Sequence, residues 1–187
     1  MSGGKLVLFS GPSGVGKDTL LELLAKLRPQ LQRSVSLTTR KPRAGEVDGV
    51  DYFFVSPAQF QEMLQDGGVL EFAQYGDHMY GTPKKPVDMW LAAGKTVILK
   101  IEVQGAEKIK RLYPQALSVF ILPPSMEVLE KRLRDRGTEN AAELEKRLEI
   151  AREEMRKSVS YDYRIVNDDL QRAAEEFLSI LDAAETT

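Results

Sequence analysis

Near the start of the chain, Gly11-Pro12-Ser13-Gly14-Val15-Gly16-Lys17 has the spacing G-x-x-x-x-G-K. Glycines at these points let consecutive backbone N–H groups turn inward onto phosphate oxygens, and a following helix N-terminus adds partial positive charge. Lys17 would set a full charge beside the β- and γ-phosphates of a nucleoside triphosphate. The Ser/Thr that usually follows the lysine as a magnesium ligand is Asp18 here, with Thr19 beyond it. Gly11 through Thr19 are therefore candidates for binding ATP phosphates. Asp18 favours a helix N-terminus but repels a triphosphate unless Mg²⁺ bridges the two. The expectation is that Mg²⁺ is carried by ATP, that no separate metal site exists, and that Asp18 tunes the magnesium dependence.

Cations gather in two other places. Between Arg28 and Gly45 lie Arg28, Arg33, Arg40, Lys41 and Arg43 with no acid, and Lys131-Arg132-Leu133-Arg134-Asp135-Arg136 forms a later cluster. Arg40 and Arg43 can fork onto a monophosphate, a geometry lysine does not reproduce. Tyr52 and Tyr80 can add hydroxyl donors to the same group. With 26 Lys+Arg against 28 Asp+Glu, two compact basic clusters suit small phosphorylated ligands better than a nucleic-acid track.

The rest of the composition removes alternatives. There is no cysteine and one histidine, His78, so disulfides, thiol nucleophiles, thiolate metals and multi-histidine sites are excluded. No apolar run approaches the ~18 residues of a membrane helix. A chain of 187 residues, 42% hydrophobic and 29% charged, reads as one globular, soluble domain with a cytoplasmic location.

The elements that must carry these residues follow from periodicity. Leu6 to Ser10 reads as a buried strand ahead of the glycine-rich loop, and Leu20, Leu23, Leu24 and Leu27 give a helix after it, ended by Pro29. Short β segments are expected at Val35–Thr39, Tyr52–Val55 and Val69–Tyr75. Ser56-Pro57 opens a helix to about Asp66, and a short helix covers Val87–Ala93. Thr96–Val103 and Leu117–Leu122 read as strands; on the first, Lys100 and Glu102 would share a face. Ser125 caps a helix carrying Leu129 and Leu133 and ended by Gly137. Ala141–Lys157 is helical, with Leu144, Leu148, Ala151 and Met155 as its stripe. Arg164–Asn167 is a last strand, followed by a helix with Leu170, Ala173, Ala174, Phe177, Leu178 and Leu181. Alternating strands and helices imply an α/β fold with a parallel sheet core flanked by helices, and the segment from Ser36 to Thr82 reads as an inserted lobe of mixed β structure.

Longer motifs resemble one family. Ser36-Leu37-Thr38-Thr39-Arg40-Lys41-Pro42-Arg43-Ala44-Gly45-Glu46, then Asp51-Tyr52-Phe53, is similar to the acceptor signature of guanylate kinases. The likeness continues through Glu71-Phe72-Ala73, Tyr80-Gly81-Thr82, Ile101-Glu102-Val103-Gln104-Gly105 and Pro123-Pro124-Ser125. It takes in Arg136-Gly137-Thr138-Glu139 with Arg147, and Tyr161-Asp162-Tyr163 through Asn167-Asp168.

The resemblance implies a P-loop kinase of one domain, 1–187. Its core would be 1–35, 86–124 and 156–187, its GMP-binding lobe 36–85 and its helical lid 125–155. It implies ATP:GMP phosphotransfer, with Mg²⁺ as cofactor and ATP and GMP as partners, no nucleic acid or membrane, and a monomer or homodimer. Glu71 would accept from guanine N1–H and N2–H₂, with Ser36 and Thr82 supplying hydroxyl contacts and Glu102 a further acid. Arg40, Arg43, Tyr52 and Tyr80 would bind the GMP phosphate. Lys17, Arg136 and Arg147 would be catalytic, while Arg132 and Asn167 would serve the ATP site. Lys100 stands where family members usually carry an acid. Two rivals remain: a kinase for another nucleoside monophosphate, and a non-catalytic guanylate-kinase-like module that binds phosphorylated peptides.

Overall fold

The computed structural model describes residues 4–75, 77–135 and 141–185. Arg136 and the Gly137-Thr138-Glu139 stretch lie outside the described residues. A five-stranded sheet has the order β2-β7-β1-β8-β9, formed by β1 (Lys5–Ser10), β2 (Gln32–Arg33), β7 (Thr96–Lys100), β8 (Leu117–Leu122) and β9 (Tyr163–Val166). Within it β2 pairs with β7, and β8 with β9, in parallel. A separate four-stranded sheet has the order β4-β3-β6-β5, from β3 (Leu37–Thr38), β4 (Phe53–Phe54), β5 (Val69–Tyr75) and β6 (His78–Pro83). It is mixed: β3 runs parallel to β4 and antiparallel to β6, and β5 and β6 form an antiparallel hairpin.

Contacts divide the chain into two compact units, Met1–Leu8 with Leu31–Leu117, and Phe9–Gln30 with Ser118–Thr187. The first unit holds the mixed sheet and three helices, α2 (Pro57–Gln65), α3 (Lys84–Ala92) and α4 (Val103–Leu112). Ser56 closes a full capping box on α2: its side chain accepts from Gln59 N while Gln59 Oε1 accepts from Ser56 N. That reciprocal pair satisfies two otherwise orphaned donors. Leu37, Phe60, Val97, Leu99 and Ile109 are buried in this unit.

The second unit holds α1 (Lys17–Leu27), α5 (Met126–Asp135), α6 (Ala141–Lys157) and α7 (Leu170–Glu185). Phe9 meets Phe177 edge to face, with centroids 5.5 Å apart. Leu129, Leu133, Leu148 and Ala151 close a smaller cluster of their own. Ser125 caps α5, accepting from Val128 N at 3.3 Å.

Several expectations need correction. The strand read as Thr96–Val103 stops at Lys100, because Glu102 is already the N-cap of α4, which periodicity passed over. The argument that Lys100 and Glu102 share a strand face therefore lapses. No sequence pattern marks the hairpin strand β6 (His78–Pro83) either. On α1 the buried face is Leu20, Leu21 and Leu24, whereas Leu27 is exposed, so the stripe is turned by about one residue.

Candidate active site

The phosphate loop lies in the second unit, between the end of β1 and the start of α1. Gly14 and Gly16 take φ +84° and +94°, left-handed values that side chains other than glycine adopt only with strain. Space is closed as well: a Cβ on Gly16 would lie 2.6 Å from Asn167 Nδ2, and one on Gly14 would lie 2.7 Å from Leu133 Cδ2. The Lys17 ammonium folds back over the loop and donates to the carbonyls of Gly11 and, at 3.0 Å, Pro12. Gly11, Pro12 and Val15 are buried, while Ser13, Asp18 and Thr19 are exposed.

Arg132 and Asn167 meet at the loop itself. The carbonyl of fully buried Val15 accepts from Asn167 Nδ2 at 2.8 Å and from Arg132 Nη1 at 3.3 Å. Arg132 Nη2 also donates to the Asn167 carbonyl at 3.2 Å. Both residues thus hold the backbone that would cradle phosphate. Arg147 is exposed on α6, one position before buried Leu148. Among the described residues no group of three or more His, Asp or Glu is placed to hold a metal ion.

The first unit assembles the acceptor candidates. In the β5–β6 hairpin Glu71 stands opposite Thr82, with an irregularity in register between Val69 and Glu71. The pairing explains the contact between them: Thr82 Oγ1 donates to Glu71 Oε1 at 2.9 Å. Burial pushes the Glu71 carboxyl above its ordinary range; the Thr82 hydrogen bond and the Lys108 charge pull it down, and the Glu102 charge adds to the rise. Burial wins because a charge loses more hydration than one hydroxyl returns. Glu102 itself is exposed at the N-cap of α4 and caps with no side-chain hydrogen bond. Ser36, just before β3, is half-buried, and its carbonyl accepts from Phe53 N at 2.8 Å.

Arg40, Tyr52 and Tyr80 form a second corner. The Arg40 guanidinium lies 5.4 Å from the Tyr52 ring centroid and 5.8 Å from that of Phe54. Tyr52 and Tyr80 meet edge to face at 5.9 Å. Arg40 is held by Glu46 through two parallel bonds, Nη1 to Oε2 at 2.9 Å and Nη2 to Oε1 at 2.8 Å. The same carboxylate accepts from Arg43 N at 2.7 Å. The Arg40 and Arg43 contacts lower the Glu46 carboxyl to about 2. The bond to Glu46 in turn keeps Arg40 charged, and Tyr80 adds to that effect. The Arg43 side chain is exposed.

A family model described as guanylate kinase matches residues 3–184. The chain belongs to the guanylate kinase family. The guanylate kinase of Synechocystis is 47% identical over 182 residues, covering 97% of this chain and 95% of that protein. That of Clostridioides difficile is 48% identical over 178 residues, covering 95% and 87%. Among solved structures, the guanylate kinase of Anaplasma phagocytophilum superposes with a TM-score of 0.81 at 34% identity, covering 100% of this chain and 88% of that one.

Against this guanylate kinase frame, two polar residues stand out that sequence reasoning gave no role. Glu46 organises Arg40 and Arg43; its signal was the one acid closing a basic stretch. Lys108 donates to the Phe72 carbonyl at 3.0 Å and sits 5.4 Å from the Phe72 ring centroid. Its signal lay in the i, i+3 spacing of Val103, Ala106 and Ile109, which marks α4.

Proposed function

We propose that the chain moves the γ-phosphoryl group of ATP to the phosphate of GMP, giving ADP and GDP. The observation that carries this reading is the Glu71 carboxylate held by Thr82 in a half-buried setting. Guanine offers two adjacent donors, N1–H and N2–H₂, to one carboxylate, and adenine has no such pair. A site built on hydrogen bonds rejects analogues that lack them, because its own polar groups are left unpaired. Ser36 and Glu102 complete the base pocket, and Arg40, Arg43, Tyr52 and Tyr80 take the GMP phosphate.

On the donor side, residues Gly11 to Thr19 take the ATP phosphates, supported by Arg132 and Asn167. Lys17, Arg136 and Arg147 neutralise charge on the transferring group. The attacking GMP phosphate oxygen is ionised at neutral pH, so no general base is needed, and positioning with charge neutralisation carries the rate. Exclusion of water around the bound nucleotides keeps it from accepting the phosphoryl.

Asp18 offers an oxygen donor beside the loop, chemistry that suits a hard cation arriving on phosphates rather than a caged ion. Mg²⁺ bound there would offset negative charge on the β- and γ-phosphates. A cytoplasmic location, a place in purine nucleotide metabolism and a monomeric or dimeric state go with this reading. No helix among the described residues is long and apolar enough to cross a membrane.

The test is a coupled ADP-release assay with ATP, Mg²⁺ and each of GMP, AMP, UMP, CMP and dTMP. Turnover with GMP alone is expected. A folded protein that turns over none of them, or all equally, would overturn the reading.

A further inference from the structure

We infer that Gly105 is a positioning residue that sets base selectivity by leaving room for the Glu71 carboxylate; this rests on the proposed reading of Glu71. Gly105 is buried in the first turn of α4. It has no positive φ among the glycines that do, so its backbone does not require glycine. In a helix, glycine is less favourable than alanine. Some other need must hold it there.

The neighbours supply that need. A Cβ at position 105 would lie 2.7 Å from Glu71 Oε2, 2.8 Å from Ile101 Cγ1 and 2.9 Å from Ile101 Cδ1. All three are closer than a Cβ is tolerated. Glu71 Oε1 is already tied to the Thr82 hydroxyl. One carboxylate oxygen is therefore fixed by a hydrogen bond and the other rests against bare helix backbone. Together they set the plane of the carboxylate. Reading two adjacent donors requires both oxygens in one plane, so a side chain at 105 rotates the reader out of register. Gly105 itself touches no substrate in this account.

Gly105→Ala tests the inference. The expected result is a GMP KM raised roughly tenfold or more, the loss when one charge-assisted hydrogen bond goes slack. The preference for GMP over inosine monophosphate, which lacks the N2 amine, should narrow. The ATP KM should stay within about twofold, since the ATP loop belongs to the other unit. In a Glu71→Gln background, Gly105→Ala should add little, because residues acting through one group are not additive. A GMP KM and selectivity unchanged by Gly105→Ala would overturn the inference. So would the same tenfold loss in the Glu71→Gln background. If the alanine chain does not fold, Ile101→Val with Gly105→Ala removes the Cδ1 contact and is measured in the same way. A wild-type chain that does not use GMP would instead defeat the parent reading.

Discussion

Replacing Glu71 with glutamine keeps the side chain's length and leaves Oε1 able to accept from Thr82, yet it puts an amide donor where Oε2 stood. Two donors of guanine then face one acceptor and one donor. Losing one charge-assisted hydrogen bond and opposing two N–H groups amounts to about 3 kcal/mol, or roughly a hundredfold in GMP affinity. Stability should move the other way. Burial holds the Glu71 carboxyl above the ordinary 4.5, so the folded state binds this proton more tightly than the unfolded state. The stabilising contribution is then full below 4.5 and is lost as pH rises through the raised value. Neutral glutamine escapes that loss, so at neutral pH the variant should melt no lower than wild type. ADP release at varied GMP and ATP, with thermal melts beside it, checks both halves. As pH falls, GMP KM should rise more steeply for the wild type than for Glu71→Gln, since both share protonation of the GMP phosphate but only the wild type also protonates the Glu71 carboxyl. Equal losses for GMP and ATP, or a lower Tm with selectivity intact, would refute the reasoning.

Gly16→Ala forces a side chain into φ +94° and against Asn167; a loss of about 2 kcal/mol, or roughly 5 °C in Tm, should accompany a higher ATP KM. Glu46→Gln slackens the fork on Arg40 and should raise the GMP KM several-fold while leaving ATP untouched. Because the Glu46 carboxyl is lowered to about 2, its contribution is present above its ordinary range and lost only as pH falls through that value, so the penalty should be constant across neutral pH. Asp18→Ser should shift the Mg²⁺ titration of ADP release without changing the melting curve; an unchanged titration would end the idea that Asp18 tunes the metal.

Where a residue's neighbours are set by its own element, the sequence was readable. The apolar runs of β1 and β8, the N-cap at Ser56 with its following proline and the stripe of α7 each follow from local spacing. The glycine-rich loop was readable too, because its chemistry is backbone chemistry. What stayed hidden depends on pairing across the chain. The strand β6 carries Gly81 and ends at Pro83, so only its pairing with β5 and β3 makes it a strand. The helix α4 begins without a capping side chain, directly after an apolar strand, and Gly105 interrupts its pattern. At the site, motif likeness singled out Glu71, Arg40, Tyr52 and Tyr80, but Glu46 and Gly105 acquire their meaning only from the side chains they meet.

The Val15 carbonyl ties the loop to Arg132 and Asn167, partners 117 and 152 positions further along the chain. Such distant closures are slow to find in folding and come after local structure. During synthesis the glycine-rich loop emerges well before its two tethers, which follow only after more than a hundred further residues have been made. Competence to hold nucleotide is therefore acquired only once Asn167 has been made, and chains released before Asn167 should display the motif without the shape it needs.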